Sequence, residues 1–460
     1  LGKRKNKGIF EGIMSFIIFI IILSILVVAH EFGHYLAARM NKVKVEKFAI
    51  GFGPALFTRK GKETDFVVCL FPLGGYVKLA GDNRLELKGA DYEFLSKPVG
   101  AKIKIVFAGP LFNYVFAFIL FWLVAMLGMT YRSIDPVVGT VKADSTAQKA
   151  GIVRGDMIIE VNGKPVKTWD DVEKKIYKSN SEVEVGIKRN DKVIKLEVPT
   201  VEDQTFDEFG AKKKVYSIGI SAYVSTVVGK LIENYPAQKA GILEGDKIIA
   251  VNGREVDQWD EMTEIIHNSK DSVTLAIERK GKKLFFTVPC NRQEVMDENG
   301  KKKNISLIGI YPFVKTEIIK YNVFEAFIKG FEEVYRVSSV TVRGFGAIIF
   351  RVMPLKDAVT GPLGIYKITA DTAKLGFLPL VTFMAVLSVS LAIVNLIPLP
   401  LFDGGHIVTF IVEKIRKKPL SEKTDNLLTR VGLAIIGLIV VFVFYNDIVR
   451  FGPTLWKKWF

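Results

Sequence analysis

Cysteine and histidine are scarce in this chain, with 2 and 4 respectively among 460 residues. Two thiols cannot build a disulfide framework, and the topology read below puts Cys69 and Cys290 on opposite sides of a bilayer, where they do not pair. Also missing is any run of aromatics interleaved with basic residues. A net charge of +16, spread over loops and strand-like segments, therefore offers no stacking platform for bases and argues against a nucleic-acid partner. An anionic lipid surface accounts for the charge better. The basic start from Lys3 to Lys7 leads into an apolar run without a small-residue cleavage site, so it is read as retained rather than removed as a signal peptide.

What the chain does have is long uncharged apolar runs. With 49% apolar residues it carries four of them, at 13–29, 105–129, 375–402 and 431–446. Each lies near the roughly 20 residues needed to cross a hydrocarbon core, which predicts four transmembrane helices and a lipid bilayer as partner. Arg430 at one end of the last run and Trp456, Lys457, Lys458 and Trp459 beyond the other suit snorkelling and interfacial anchoring. Lys and Arg number 13 over residues 39–104 and 6 over 414–430, against 7 in the two termini together. The positive-inside rule then puts those two short segments in the cytoplasm, and both termini and the middle of the chain outside it.

The middle segment, about 131–374, contains an internal repeat. Ala150-Gly151-Ile152 recurs at 240–242, Gly155-Asp156 at 245–246, Val161-Asn162-Gly163 at 251–253, Trp169 as Trp259 and Ile218-Gly219-Ile220 at 308–310, always 90 residues on. A constant offset means two copies of one small domain. Alternation at Val183, Val185 and Ile187, and at Val273, Leu275 and Ile277, predicts strands, and the stretch after each tryptophan predicts a short helix. Beyond the second copy, Phe324, Phe327, Ile328, Phe331, Val334 and Tyr335 follow helical spacing. They predict an amphipathic helix, either on the membrane surface or against the second copy.

At the inner end of the first run, His30-Glu31-Phe32-Gly33-His34 sets two imidazoles at i and i+4 on one helical face with a carboxylate beside them. Ionisable groups in a membrane helix are costly unless paired or coordinated, so the motif reads as a zinc site. A catalytic zinc needs a third protein ligand and an open position for water. The third run reaches the same depth where Pro398 and Pro400 break its helix, which makes Asp403 the candidate, with His406 as the alternative. Gly404 and Gly405 would let the backbone turn closely around the metal.

Several motifs in one order resemble the site-2 proteases. They are His30 to His34, Gly51-Phe52-Gly53-Pro54, Pro72 to Val77, Ala108-Gly109-Pro110 with Asn113, Gly361-Pro362-Leu363-Gly364-Ile365, and Asn395 to His406, where Phe402 stands in place of the usual leucine. The repeats resemble PDZ domains of bacterial membrane and periplasmic proteases. The resemblance implies a polytopic α-helical membrane protein with four transmembrane helices, a membrane-associated β-hairpin region built from 43–53 and 65–77, and two inserted α+β PDZ-like domains. The implied domains are 1–130 (first two spans), 131–220 and 221–312 (PDZ-like), 313–374 (amphipathic connection) and 375–460 (last two spans).

It implies an intramembrane zinc metalloprotease of the bacterial inner membrane, with one Zn2+ per chain held by His30, His34 and Asp403, and Glu31 as catalytic base. The substrates implied are single-span membrane proteins already trimmed outside the membrane, such as an anti-sigma factor or a remnant signal peptide. Asn395 and the Gly51, Phe52, Gly53 stretch would contact the unwound substrate, with a helix-end cap as the plain alternative for Asn395. The PDZ-like pair would screen substrates or bind peptides, or serve only as a spacer. The competing readings are an inactive PDZ-bearing scaffold that binds membrane peptides, and a metal transporter, which the base beside the histidines and the lack of an inverted repeat disfavour.

Overall fold

The computed structural model describes residues 2–84, 87–210, 212–296 and 302–459. The chain divides into two compact units: Leu1–Met129 together with Ile319–Phe460, and Thr130–Ile318.

The first unit contains four helices long and apolar enough to cross a membrane, Gly12–Met40, Val99–Leu127, Phe377–Asn395 and Lys423–Arg450. The third helix stops at Asn395, short of the full apolar run, because the two prolines that follow cannot continue it. Leu401 then adopts a left-handed φ of 80°, and a new helix starts at Asp403 and runs to Arg416. That helix is tied down by Glu413, whose buried carboxylate accepts from Arg84 at 2.5 Å and from the Leu420 N–H at 2.9 Å, with the Lys102 ammonium 3.6 Å away. The aromatic and basic side chains at 456–459 lie outside the described residues.

Between the first two spanning helices lie two strands, Val45–Lys60 and Asp65–Leu79. A simple hairpin of 43–53 with 65–77 was expected; the chain instead doubles back within each strand. Residues 47–50 are paired with 75–78 and also with 65–68, while 57–60 pair with 65–68. The bend falls at Gly51 and Gly53, whose φ values of 86° and 89° suit glycine and carry the chain across to a new register. Phe52, Leu56, Phe57, Leu70 and Phe71 stay exposed on this element.

The amphipathic helix is longer than its pattern suggested, Val323–Ile349. Phe327 and Phe331 meet Phe118 of the second spanning helix with centroids 5.1 and 4.4 Å apart, and the buried Ala326 and Gly330 mark the face that packs there. Phe324, Ile328 and Tyr335 remain exposed.

In the second unit each repeat forms a four-stranded antiparallel sheet of the same order. Glu182–Arg189 and Ser272–Arg279 are the central strands, and Trp169–Ile176 and Trp259–Asn268 are the covering helices. Alternation puts Val183, Val185 and Ile187, and their counterparts Val273, Leu275 and Ile277, at 0% exposure in the two cores. The repeated Asn-Gly pairs are tight turns, with Asn162 and Asn252 both at φ 50°. Each copy is locked by a buried aspartate: Asp156 takes two bonds of 2.7 Å from Arg189, and Asp246 takes two of 2.7 Å from Arg279. The strand closing the first copy, Ile220–Ala222, straddles the boundary expected at 220 and pairs with Val138–Val141. The copies also grip one another, through Gln258 donating to Thr140 at 2.8 Å and Arg154 bridging Asp257 and Glu261.

Candidate metal centre

His30 and His34 lie one turn apart on the first spanning helix, so both rings leave the same face. Asp403, the first residue of its helix, meets them across 369 residues of sequence. His30 Nε2 is 3.1 Å from His34 Nε2 and 3.2 Å from Asp403 Oδ2, and His34 Nε2 is 3.6 Å from Asp403 Oδ1. A four-coordinate tetrahedral zinc with bonds of about 2.0–2.1 Å separates its donors by about 3.3 Å. The three separations bracket that value, each histidine facing a different oxygen of Asp403, and with one atom taken from each residue the donors lie within 4.8 Å of one another. His406, the alternative donor, sits one turn further along the helix with its ring 6.4 Å from that of Phe410, and it is not among the converging atoms.

The protonation of the rings also fits a cation. His34 Nδ1 lies 2.9 Å from the Ile105 carbonyl, which can only accept. The ring proton therefore sits on Nδ1 and leaves Nε2 bare. Asp403 Oδ2 is buried without a hydrogen-bond partner. A bare imidazole nitrogen and a carboxylate oxygen converging at such distances suit a positive charge between them, which a divalent metal supplies. A cradle has been left for the group: a Cβ on Gly109 would run into His34 and stop 2.8 Å from His30 Cε1.

Glu31 faces the second strand. It accepts from the backbone N–H of Val77, and its charge is coupled to His34, His30 and Asp403. Gly75 makes this approach possible, since a Cβ there would meet Val27 at 3.1 Å, Glu31 at 3.5 Å and the Ala49 carbonyl at 2.8 Å. Of the residues expected to touch substrate, Asn395 is brought to the centre, its amide 3.5 Å from each ring nitrogen of His30. That is too long for a firm hydrogen bond and leaves the amide for other partners. Gly51 and Gly53 are at the bend of the strand, and Phe52 stacks on Tyr76 at 6.3 Å. Gly404 and Gly405 were expected to turn about the metal. They are ordinary helical residues, and what needs their lack of a side chain is contact with the carbonyls of Leu396, Ile397 and Leu399.

Sequence reasoning overlooked the carbonyl of Ile105 and the part played by Asn113. Asn113 is fully buried on the second spanning helix, its amide nitrogen 3.1 Å from His30 Nδ1. Its position four residues after Gly109, on the same helical face, was the available signal.

A spanning helix that carries a His-Glu pair and a second histidine one turn on, with an aspartate converging from the helix 403–416, defines an integral-membrane metallopeptidase. The model of "Peptidase family M50" matches residues 18–439, and the chain belongs to that family, the zinc metalloproteases of the site-2 type. It is 33% identical to the regulator of sigma-E protease RseP of Escherichia coli, over 94% of this chain and 98% of that one. It is 31% identical to the regulator of sigma E protease of Haemophilus influenzae, with the same two coverages of 94% and 98%. Among solved structures, the PDZ domain of an SdrC-like protein from Listeria innocua is 26% identical, covering 19% of this chain and 92% of that one at a TM-score of 0.15.

Proposed function

We propose that this protein cuts single-span membrane proteins, already trimmed outside the bilayer, within their transmembrane segments, using one zinc ion held by His30, His34 and Asp403. The observation that carries the reading is the convergence of His30 Nε2, His34 Nε2 and the Asp403 carboxylate at zinc-like separations. It also disfavours the scaffold reading, which has no use for a Lewis-acid centre.

Zinc held there supplies a Lewis acid that polarises a carbonyl and acidifies a bound water. Glu31, beside those donors, would accept a proton from the attacking water on its carboxylate and return it to the leaving amine. The Val77 N–H keeps that carboxylate aimed at the site between the two transfers.

A helical substrate hides its scissile carbonyl in its own hydrogen bonds and must unwind to be cut. The bend at Gly51, Phe52 and Gly53 lies in a membrane-associated β element whose exposed apolar face suits hydrocarbon and whose backbone takes up substrate as an added strand. Asn395 offers its amide to the unwound backbone. The domains follow the divisions drawn from the sequence, 1–130, 131–220, 221–312, 313–374 and 375–460, with the first repeat extended to 222 by its closing strand, and the two repeats are PDZ-like modules that screen or bind substrate outside the membrane. The protein sits in the bacterial inner membrane, with its active site opening to the cytoplasm and its termini and PDZ-like pair on the other side.

The test is cleavage of a trimmed single-span substrate by purified wild type and Glu31→Gln, with bound zinc measured in both. Wild type should cut; the variant should keep its zinc and leave the substrate intact. A variant that cuts at the wild-type rate removes Glu31 from the mechanism, and folded wild type that takes up no zinc ends the metalloprotease reading for this site.

A further inference from the structure

The zinc reading requires His30 to present a bare Nε2, because that is the nitrogen aimed at His34 and Asp403. Its single ring proton must then sit on Nδ1, and a buried N–H needs an acceptor. The group 3.1 Å from Nδ1 is the side-chain amide of Asn113, drawn with its nitrogen forward and with Oδ1 buried and unpartnered. Two hydrogen-bearing nitrogens cannot bond one another. The nitrogen and oxygen of an amide are interchangeable by a half-turn, and the hydrogen-bond network decides which faces forward. Oδ1 has no partner where it stands, so the choice is made at His30.

We infer that Asn113 is the positioning residue of the metal centre: its Oδ1 accepts the Nδ1 proton of His30 and so fixes the tautomer and ring orientation in which Nε2 binds zinc. His34 is held the same way by the Ile105 carbonyl, eight residues earlier on the same helix. The second spanning helix therefore supplies no ligand but sets the lone pairs of both histidines. Asn113 is itself anchored, since its backbone carbonyl accepts from the Ser388 hydroxyl of the third spanning helix at 2.8 Å. The first three spanning helices thus meet at this one residue.

This inference rests on the zinc reading, and one experiment separates their failures. Zinc affinity of the purified full chain in detergent is measured by competition with a chromophoric chelator, for wild type, His30→Ala, Asn113→Leu and Asn113→Asp. Removing an outer partner of a ligating histidine lowers metal affinity about 10–100-fold, which is the loss expected for Asn113→Leu. Asn113→Asp keeps an acceptor at the same place and should hold zinc at least as well as wild type. Substituted with cobalt, it should also retain the wild-type visible spectrum.

Folded Asn113→Leu binding zinc as tightly as wild type overturns the inference, as does Asn113→Asp falling as far as the leucine variant. If Asn113→Leu does not fold, Asn113→Ser takes its place, its hydroxyl being too short to reach Nδ1, with the same loss expected. If wild type binds no more zinc than His30→Ala, the zinc reading itself fails and takes this one with it.

Discussion

Replacing Gly109 by alanine adds one methyl group where the second spanning helix faces both histidines. The new Cβ would stand 2.3 Å from His34 Nε2, against the 3.4 Å at which ordinary contact begins, so the ring would have to retreat by about 1.1 Å. It cannot do so freely, because Nδ1 is held by the Ile105 carbonyl on the same helix. Moving a ligand by that much should cost at least what the loss of an outer partner costs, about 100-fold in zinc affinity. That corresponds to about 2.8 kcal/mol. Helix formation should not suffer, since alanine is favoured over glycine within a helix by about 1 kcal/mol. The assay is chelator competition on detergent-purified Gly109→Ala, beside circular dichroism and a thermal melt with and without chelator. The expected variant is helical, monodisperse and depleted of zinc, and its melt is indifferent to chelator. Zinc affinity within about threefold of wild type would refute the reasoning, because it would mean the rings yield without disturbing the donors.

Three other outcomes follow from groups away from the metal. Arg189→Ala leaves the buried Asp156 carboxylate with only the Val153 N–H as partner, and should destabilise the first repeat by about 3 kcal/mol, read as faster limited proteolysis within 130–222. Asp447→Ala removes the acceptor for the N–H groups of Gly361, Leu363 and Gly364 at the start of the helix Pro362–Lys374, and should lower thermal stability in detergent by about 1–2 kcal/mol. Burial pushes the Glu93 carboxyl up, but the backbone N–H groups of Lys88, Ala90 and Gly89 and the Ser96 hydroxyl outweigh it and hold the group below its ordinary range. Its contribution is then complete above the unfolded value and lost as pH falls through the depressed one, so pepsin cleavage within 80–97 should rise with acidification. Glu93→Gln should flatten that rise; an unchanged pH profile would exclude the carboxylate as its cause.

The first half of the metal centre was legible because it is local: two imidazoles four residues apart on a helix must share a face. The aspartate was legible through depth, since the span that leads to it is broken by prolines at the level of the histidines. Asn113 was not, because what it does depends on how far apart two helices pack, and no spacing along one helix encodes that distance. The β element was misjudged for a related reason. Alternation predicts a strand but not which neighbours it takes, and the positive φ values at Gly51 and Gly53 change its register midway. The repeat was the easiest feature to see and the most complete, because a turn, a buried aspartate and a core alternation each recur at one offset.

The long chain separation between the donors bears on how the protein is made. Synthesis runs from the N-terminus, so the two histidines enter the membrane long before residue 403 leaves the ribosome. Until then the growing chain has two of its three donors, and the helix that brings the last one is not yet tied down by Glu413. The three side chains therefore come together only after residue 403 has been made, an order set by the sequence itself.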